Sequence, residues 1–477
     1  MTGFTTLDLV VLIAYLVGVT AWGAWLGRGQ TGGTDYFLGS RSLPWVAVML
    51  SVVATETSTL TFLSVPGVSY AGSLVFLQLT LGYLVGRILV STFFLPAYYA
   101  GSLTTAYALL EGRFGLGARR FTSAIFMVTR LLADSVRLFA TAIPLALITG
   151  WPYPVSIVVI GILTVIYTYF GGIKAVVWVD AVQMGLYLFG AVVAIVAIQM
   201  LVPSGWADVL SSAGNEGKLQ LLDLSLDPNI PYTLFAGLFG GAVFTMASHG
   251  TDQLIVQRLL TCTDKRSAQK ALVGSGFVVI LQFALFLMVG LGLWAFYQGR
   301  PFESTDEIFA TFIVQQLPPG LTGLLIAGVF AAAMSSLSSS INSLASATAY
   351  DYWAPMVGAR EDEERILRAG KVFTLVWAAL LIAGAILFIP LSQGTSAVEV
   401  ALGIASLVYG GLLGAFALGV FTKRPGQTAA IVGVVVGIGT VTLFRDAMAW
   451  PWYVLVGSTV TFIAGSIVGR FEKQPAQ

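Results

Sequence analysis

Charge is scarce in this sequence, and cysteine and histidine are nearly missing. A single cysteine, Cys262, excludes a disulfide framework and any multi-cysteine metal site. A single histidine, His249, leaves little for hydrolysis inside a membrane, which needs a nucleophile with a base in reach, and no elbow-like turn surrounds any serine. Charged residues are 10% of the chain, and 24 basic against 23 acidic side chains leave no field for nucleic acid. Hydrophobic residues, by contrast, are 57% of the chain and recur end to end in runs of about 20, the length of a membrane-crossing helix. The expectation is an all-α polytopic membrane protein that is not an enzyme. The first run, 6–26, is too long and too poorly flanked by basic residues for a cleaved signal peptide, so it is expected to remain as a helix, and no soluble domain is expected at either end.

Thirteen spans are expected, near 6–26, 44–65, 73–98, 121–149, 153–171, 175–202, 231–249, 269–297, 318–349, 370–389, 396–421, 427–444 and 449–469. Basic residues near helix ends are retained on the cytoplasmic side. With the N-terminus outside, 18 of them fall inside, from Arg28 and Arg41 to Arg470 and Lys473, while only Lys218, Arg300 and Arg445 fall outside. Arg87, Arg130 and Arg137 lie within spans. The sequence therefore predicts a multi-pass protein of the plasma (inner) membrane with its C-terminus in the cytoplasm.

Two spans carry helix breakers. The second, VAVMLSVVATETSTLTFLSVPG, has hydroxyls at its middle and Pro66-Gly67 at its end; the seventh, YTLFAGLFGGAVFTMASHG, contains Gly237, Gly240 and Gly241. They are five spans apart, which makes 44–202 and 231–421 two halves of opposite orientation within one transmembrane domain, with 6–26 in front and 427–470 behind. Interrupted helices at matching places in inverted halves mark a transporter's midplane site. The competing reading is that the glycines only let helices pack closely.

The ninth span holds AAAMSSLSSSINSLAS, in which Ser335, Ser338, Ser339 and Asn342 share one helical face and Ala332 and Ser336 the adjacent one. Hydroxyls and freed carbonyls suit a hard monovalent cation; helix-to-helix glue is the alternative. Asp180 begins the apolar run of the sixth span with no basic residue one turn away on its own helix, and Lys174 reads as an interfacial anchor. A sodium ion shared by Asp180 and the serines answers both oddities.

The segments DYFLGSRSLPW (35–45), YALLEGRFG (107–115), GGIKAVVWVDAVQ (171–183), SHGTDQLIVQR (248–258) and MSSLSSSINSLASATAYDYW (334–353) resemble the sodium/solute symporter family, which includes carriers of sugars, proline, sialic acid, pantothenate and monocarboxylates. The resemblance implies a LeuT-type five-plus-five inverted-repeat core with one extra N-terminal and two extra C-terminal helices. It also implies a first sodium site at Ala54, Thr57, Ala332, Ser335 and Ser336, with backbone oxygens at the first three. A second site, found in some members, is similar to Asp180, Ser335, Ser338 and Ser339, so two sodium ions are expected. Family pocket positions correspond to Glu56, Ser58, Thr61, Phe76, Gln78 and Thr80. The implied partners are a small polar solute, sodium and the bilayer, with no obligatory protein partner.

Arg130, Asp134 and Arg137 repeat at i, i+4, i+7 on the fourth span. Either an arginine, Arg130 or Arg137, receives a substrate carboxylate, which would make the solute a small carboxylate or sugar acid, or the set forms an internal ion-pair network with Glu56. His249 reads as a helix-end contact organising the inner loop, with proton coupling as the alternative. The acidic run at 361–365 reads as a solvated connection. A channel would need a continuous polar pore, whereas these polar residues cluster at two breaks; a sensor would need signalling modules, and the chain ends soon after its last span.

Overall fold

The computed structural model describes residues 4–101, 103–391 and 397–472; Lys473 and residue 396 of the eleventh expected span lie outside them. Among the described residues, the only element of extended pairing is an isolated bridge between Leu43 and Cys262. Helical segments stand at all thirteen expected places. Nine described helices are long and apolar enough to cross a membrane, ten if a bent pair counts as one span.

The first helix, α1 (Thr6–Leu26), is followed by the bent pair α2 (Trp45–Glu56) and α3 (Thr59–Ala71). The break lies at Thr57 and Ser58, both extended, among the hydroxyls at the middle of the span and beside Glu56, while Pro66 is inside α3. The hydroxyls of Thr55 and Thr57 accompany this break by bonding back to Ser51 O and Val53 O, each at 2.8 Å. Next come α4 (Leu77–Phe93), α5 (Leu116–Thr149) and α6 (Tyr153–Leu201). The 49 residues of α6 are two helical arms joined at Gly172. Gly172 breaks it with φ 56° and ψ −156°, a conformation open to glycine, and a Cβ there would lie 2.6 Å from Tyr36 O. Tyr167 and Val179, on either side of the break, both stand against Gly23 of α1, so the two expected spans are separate arms lying side by side.

The seventh span is a π-helical turn, Ala236–Gly241, leading into α7 (Ala242–Gly250) and, after a break at Thr251-Asp252, into α8 (Gln253–Leu259). Its glycines serve close packing: a Cβ on Gly237 would lie 2.8 Å from Gln78 O, and one on Gly241 3.1 Å from Leu79 O, both in α4. The break itself comes only after the whole of α7, at Thr251-Asp252. It is followed by α9 (Lys265–Phe296), α10 (Leu321–Ala347), α11 (Glu363–Phe388), α12 (Ala397–Phe421), α13 (Gln427–Phe444) and α14 (Pro451–Val468).

Helix α10, the serine-rich one, is the most buried, packed among α6, α1, α5 and α11. Buried Asp8 of α1 accepts from Gly320 N (2.7 Å) and Gly323 N (2.8 Å), orphan donors at the N-terminus of α10. That carboxylate pins the extra first helix to the centre of the bundle. The last two helices, α13 and α14, pack on α12 at the periphery.

Candidate functional site

The break in α2–α3 removes the helical partner of the Ala54 carbonyl, and α10 passes beside it. Ser335 Oγ lies 3.0 Å from Ala54 O and 3.1 Å from Ala332 O. A hydroxyl has one proton and can serve one carbonyl at a time. Next to it, Ser336 Oγ is buried with no partner. The Tyr187 hydroxyl also approaches Ala54 O, at 3.5 Å, and the spot, rich in oxygen and free of cationic side chains within these contacts, suits a cation. Thr57 caps α2 at the same break, with its hydroxyl held by Val53 O and Gln282.

The second serine set meets a cation from the protein itself. Asp180 Oδ2 accepts from Ser51 Oγ at 2.7 Å and from Arg258 Nη2 at 3.2 Å, and both partners of this ion pair are wholly buried. The same Nη2 reaches Ser339 Oγ, Nε reaches Ser51 Oγ (2.9 Å), and Nη1 closes on Leu254 O (2.7 Å). The partner that α6 does not supply to Asp180 comes from α8, 78 residues on. Asp180 Oδ1 remains buried without a partner. Ser338 and Ser339 both donate to Ser335 O, at 3.1 and 2.5 Å, while the Ser335 hydroxyl faces the first set. Asn342 accepts from Gln257 (2.7 Å) and Ser346 from Gln253 (3.4 Å), joining α10 to α8, and Ser343 bonds back to Ser340 O.

Beside the broken helix lies a cavity of about 230 Å³ lined by Glu56, Ser58, Thr61, Phe76, Arg130 and Arg137, as the sequence indicated. Two positions expected with them are turned away. Gln78 is spent on Val75 O, Tyr232 O and Asp223 N, tying down the loop before α7, and Thr80 is buried with its hydroxyl on Leu77 O.

Arg130 is fully engaged. Its Nε and Nη2 hold Asp252 Oδ2, Nη2 also meets the Tyr409 hydroxyl, and Nη1 lies 3.5 Å from Asp134. Asp252 caps α8 through Oδ1 to Leu254 N (2.9 Å), so this pair ties the second helix break to α5. Arg137 makes a 3.2 Å hydrogen bond to Asp134 with one of its five donors. Asp134 also accepts from Ser340 Oγ at 2.5 Å. The Arg130–Asp134–Arg137 network therefore exists, but Glu56 belongs to a different one. Its Oε2 meets buried Arg87 of α4 and lies 3.5 Å from His249 Nε2. His249 accordingly sits on the cavity wall, with Nδ1 2.9 Å from Ser248 Oγ, and does not organise an inner loop. Lys174, for its part, meets Asp35 at 2.5 Å.

Apart from Phe76, the sequence reading missed the aromatic side of the cavity. Phe76 stacks on Phe283 (centroids 5.4 Å apart), Tyr83 on Phe244 (6.3 Å), and Phe244 packs edge-on against Trp450 (5.7 Å). In a membrane sequence, aromatics carry no signal that separates a cavity wall from a lipid face.

The model of the sodium:solute symporter family matches residues 36–437. The sodium/sialic acid symporter of Aliivibrio fischeri (strain ATCC 700601 / ES114) is 31% identical, over 98% of this chain and 94% of its own. A solved structure of a Na+-coupled sialic acid symporter in a substrate-bound outward-open state superposes with a TM-score of 0.90 at 28% identity, over 98% of this chain and 99% of that one. The structure of MhsT in complex with L-phenylalanine matches in fold alone, with a TM-score of 0.53 at 16% identity, covering 89% of this chain and 97% of its own.

Proposed function

Because the chain belongs to the sodium:solute symporter family, a group of multi-pass membrane carriers with the LeuT-type fold, we propose that it imports a small polar organic solute with two sodium ions by alternating access. The observation that carries this reading is the oxygen cluster of Ala54 O, Ala332 O, Ser335 Oγ and the unpartnered Ser336 Oγ, set where a broken helix meets α10. Thr57 O completes the first sodium set.

For the second ion the free oxygens are Asp180 Oδ1 and the lone pairs of Ser338, with Ser339 shared with Arg258. Because the guanidinium already neutralises Asp180, this second site is the weaker one. At about 100 mV and a tenfold gradient, each ion supplies about 2.3 kcal/mol electrically and about 1.4 kcal/mol chemically. Two ions together can hold a neutral solute at roughly a 10⁵-fold gradient.

With the N-terminus outside and 44–202 and 231–421 as inverted halves, Phe76, Tyr232 and Trp450 lie on the outer side of the cavity. The inner side is closed by buried Asp351, which accepts from Thr105 (2.6 Å), Ser123 (2.7 Å) and Arg119 (2.7 Å). That arrangement is outward-facing. Sodium, bound more tightly in this state, holds it until solute fills the cavity; the outer side then closes and release follows inside, where sodium is scarce. Among the arginines, Arg137 and not Arg130 is the candidate to receive a solute carboxylate, because every donor group of Arg130 already has a protein partner.

The test is uptake into proteoliposomes under imposed sodium gradients and potentials. Uptake should follow sodium steeply and be accelerated by an inside-negative potential. Accumulation indifferent to sodium sinks the reading.

A further inference from the structure

The charged groups around the cavity number three guanidinium groups (Arg87, Arg130, Arg137) and three carboxylates (Glu56, Asp134, Asp252), but most are hidden from it. Arg87 and Asp252 are wholly buried, and Arg130 and Asp134 keep only 5% of their side chains exposed. Two groups show a face: Glu56, with 22% of its side chain exposed, and Arg137, with 24%. The cavity therefore presents one negative and one positive pole over a balanced surround. Each pole has bonding capacity to spare. Glu56 is held through Oε2, leaving Oε1, and Arg137 uses one donor.

From this geometry we propose that the solute is a small zwitterion, an amino acid or betaine, with its cationic nitrogen at Glu56 and its carboxylate at Arg137. The proposal rests on the symport reading and narrows the solute of that same cavity. A zwitterion brings no net charge into a balanced, poorly solvated site, whereas an anion leaves one uncompensated charge there. Tyr83 lies beside Glu56, and Phe244 stacks on it, so an ammonium at Glu56 also meets aromatic faces. Ser64 Oγ, buried and unpartnered on the cavity wall, offers a further oxygen. The stacked pair Phe76 and Phe283 suits the solute's apolar part.

The test is thermal stabilisation of the purified full-length chain, in sodium chloride and in choline chloride, by the twenty proteinogenic amino acids and glycine betaine. The same assay takes three comparison sets: the matching 2-hydroxy acids (anions), the matching amino-acid amides (cations), and N-acetylneuraminate with neutral sugars. We expect sodium-dependent stabilisation by at least one zwitterion, with its hydroxy acid and its amide at least tenfold weaker. Glu56→Gln should weaken the zwitterion roughly 10- to 100-fold and narrow its advantage over the hydroxy acid; Arg137→Gln should narrow its advantage over the amide. If Glu56→Gln strands Arg87 and misfolds, Arg137→Gln and the ligand comparison on the unmodified chain still decide. A hydroxy acid, sugar or N-acetylneuraminate that binds as well as the best zwitterion overturns the proposal, and so does the failure of every zwitterion. In those cases stabilisation by sodium alone keeps the symport reading; no sodium effect of any kind brings down that reading as well.

Discussion

Arg258→Met should make the protein less stable in choline and more responsive to sodium. Arg258 and Asp180 are both wholly buried at 3.2 Å, so removing the guanidinium strands a carboxylate, at a cost of about 3–5 kcal/mol. Sodium can replace the lost charge. In the unmodified chain a second sodium ion about 4 Å from the guanidinium is opposed by about 4 kcal/mol at an effective dielectric constant near 20, so its removal should tighten that site by roughly 10²- to 10³-fold. With sodium at 100 times the new dissociation constant, about 2.7 kcal/mol of the lost stability returns. The assay is the melting temperature of the purified chain across a sodium titration at constant ionic strength. Arg258→Met should melt lowest in choline and show the larger rise with sodium. Equal sodium-induced rises in the variant and the unmodified chain refute the idea that the guanidinium and a second sodium ion compete for Asp180.

Other changes have equally definite outcomes. Ser335→Ala removes the hydroxyl between Ala54 O and Ala332 O and should raise the sodium concentration for half-maximal uptake about tenfold, the worth of roughly one hydrogen bond to a charged group; an unchanged value removes Ser335 from the site. Gly172→Ala forces a Cβ to 2.6 Å from Tyr36 O at a positive φ and should cost about 1–3 kcal/mol from backbone strain alone, read as lowered melting temperature and yield. Just before α5, burial raises the Glu111 carboxyl, but hydrogen bonds from Arg119 and Arg360 outweigh it and hold the group below its ordinary value of 4.5. Its contribution to stability is therefore complete above pH 4.5 and is lost as pH falls through the depressed value. Glu111→Gln should flatten the acid side of the stability profile, and an unaltered slope contradicts that assignment.

Much of the fold was legible because a bilayer imposes a length on each apolar run, so span positions follow from hydropathy. The serine-rich face of α10 and Asp180 stood out for a related reason: hydroxyls and a carboxylate are out of place among apolar residues. What stayed hidden depends on which helices touch. Asp180 looked unpaired because Arg258 lies on another helix, and Glu56 looked like part of the α5 network because nothing in one dimension links it to Arg87. Gln78 and Thr80 sat at plausible pocket positions, yet Gln78 turns to hold a loop and Thr80 bonds its own backbone. Pro66, a strong breaker on paper, is accommodated inside α3.

Counting bound sodium ions tests two-ion coupling without knowledge of the solute. Equilibrium dialysis of radioactive sodium against the purified chain should give two ions for the unmodified protein, the second weaker, one for Ser336→Ala and one for Ser338→Ala. A single ion in the unmodified chain, or counts that neither substitution changes, contradicts the account.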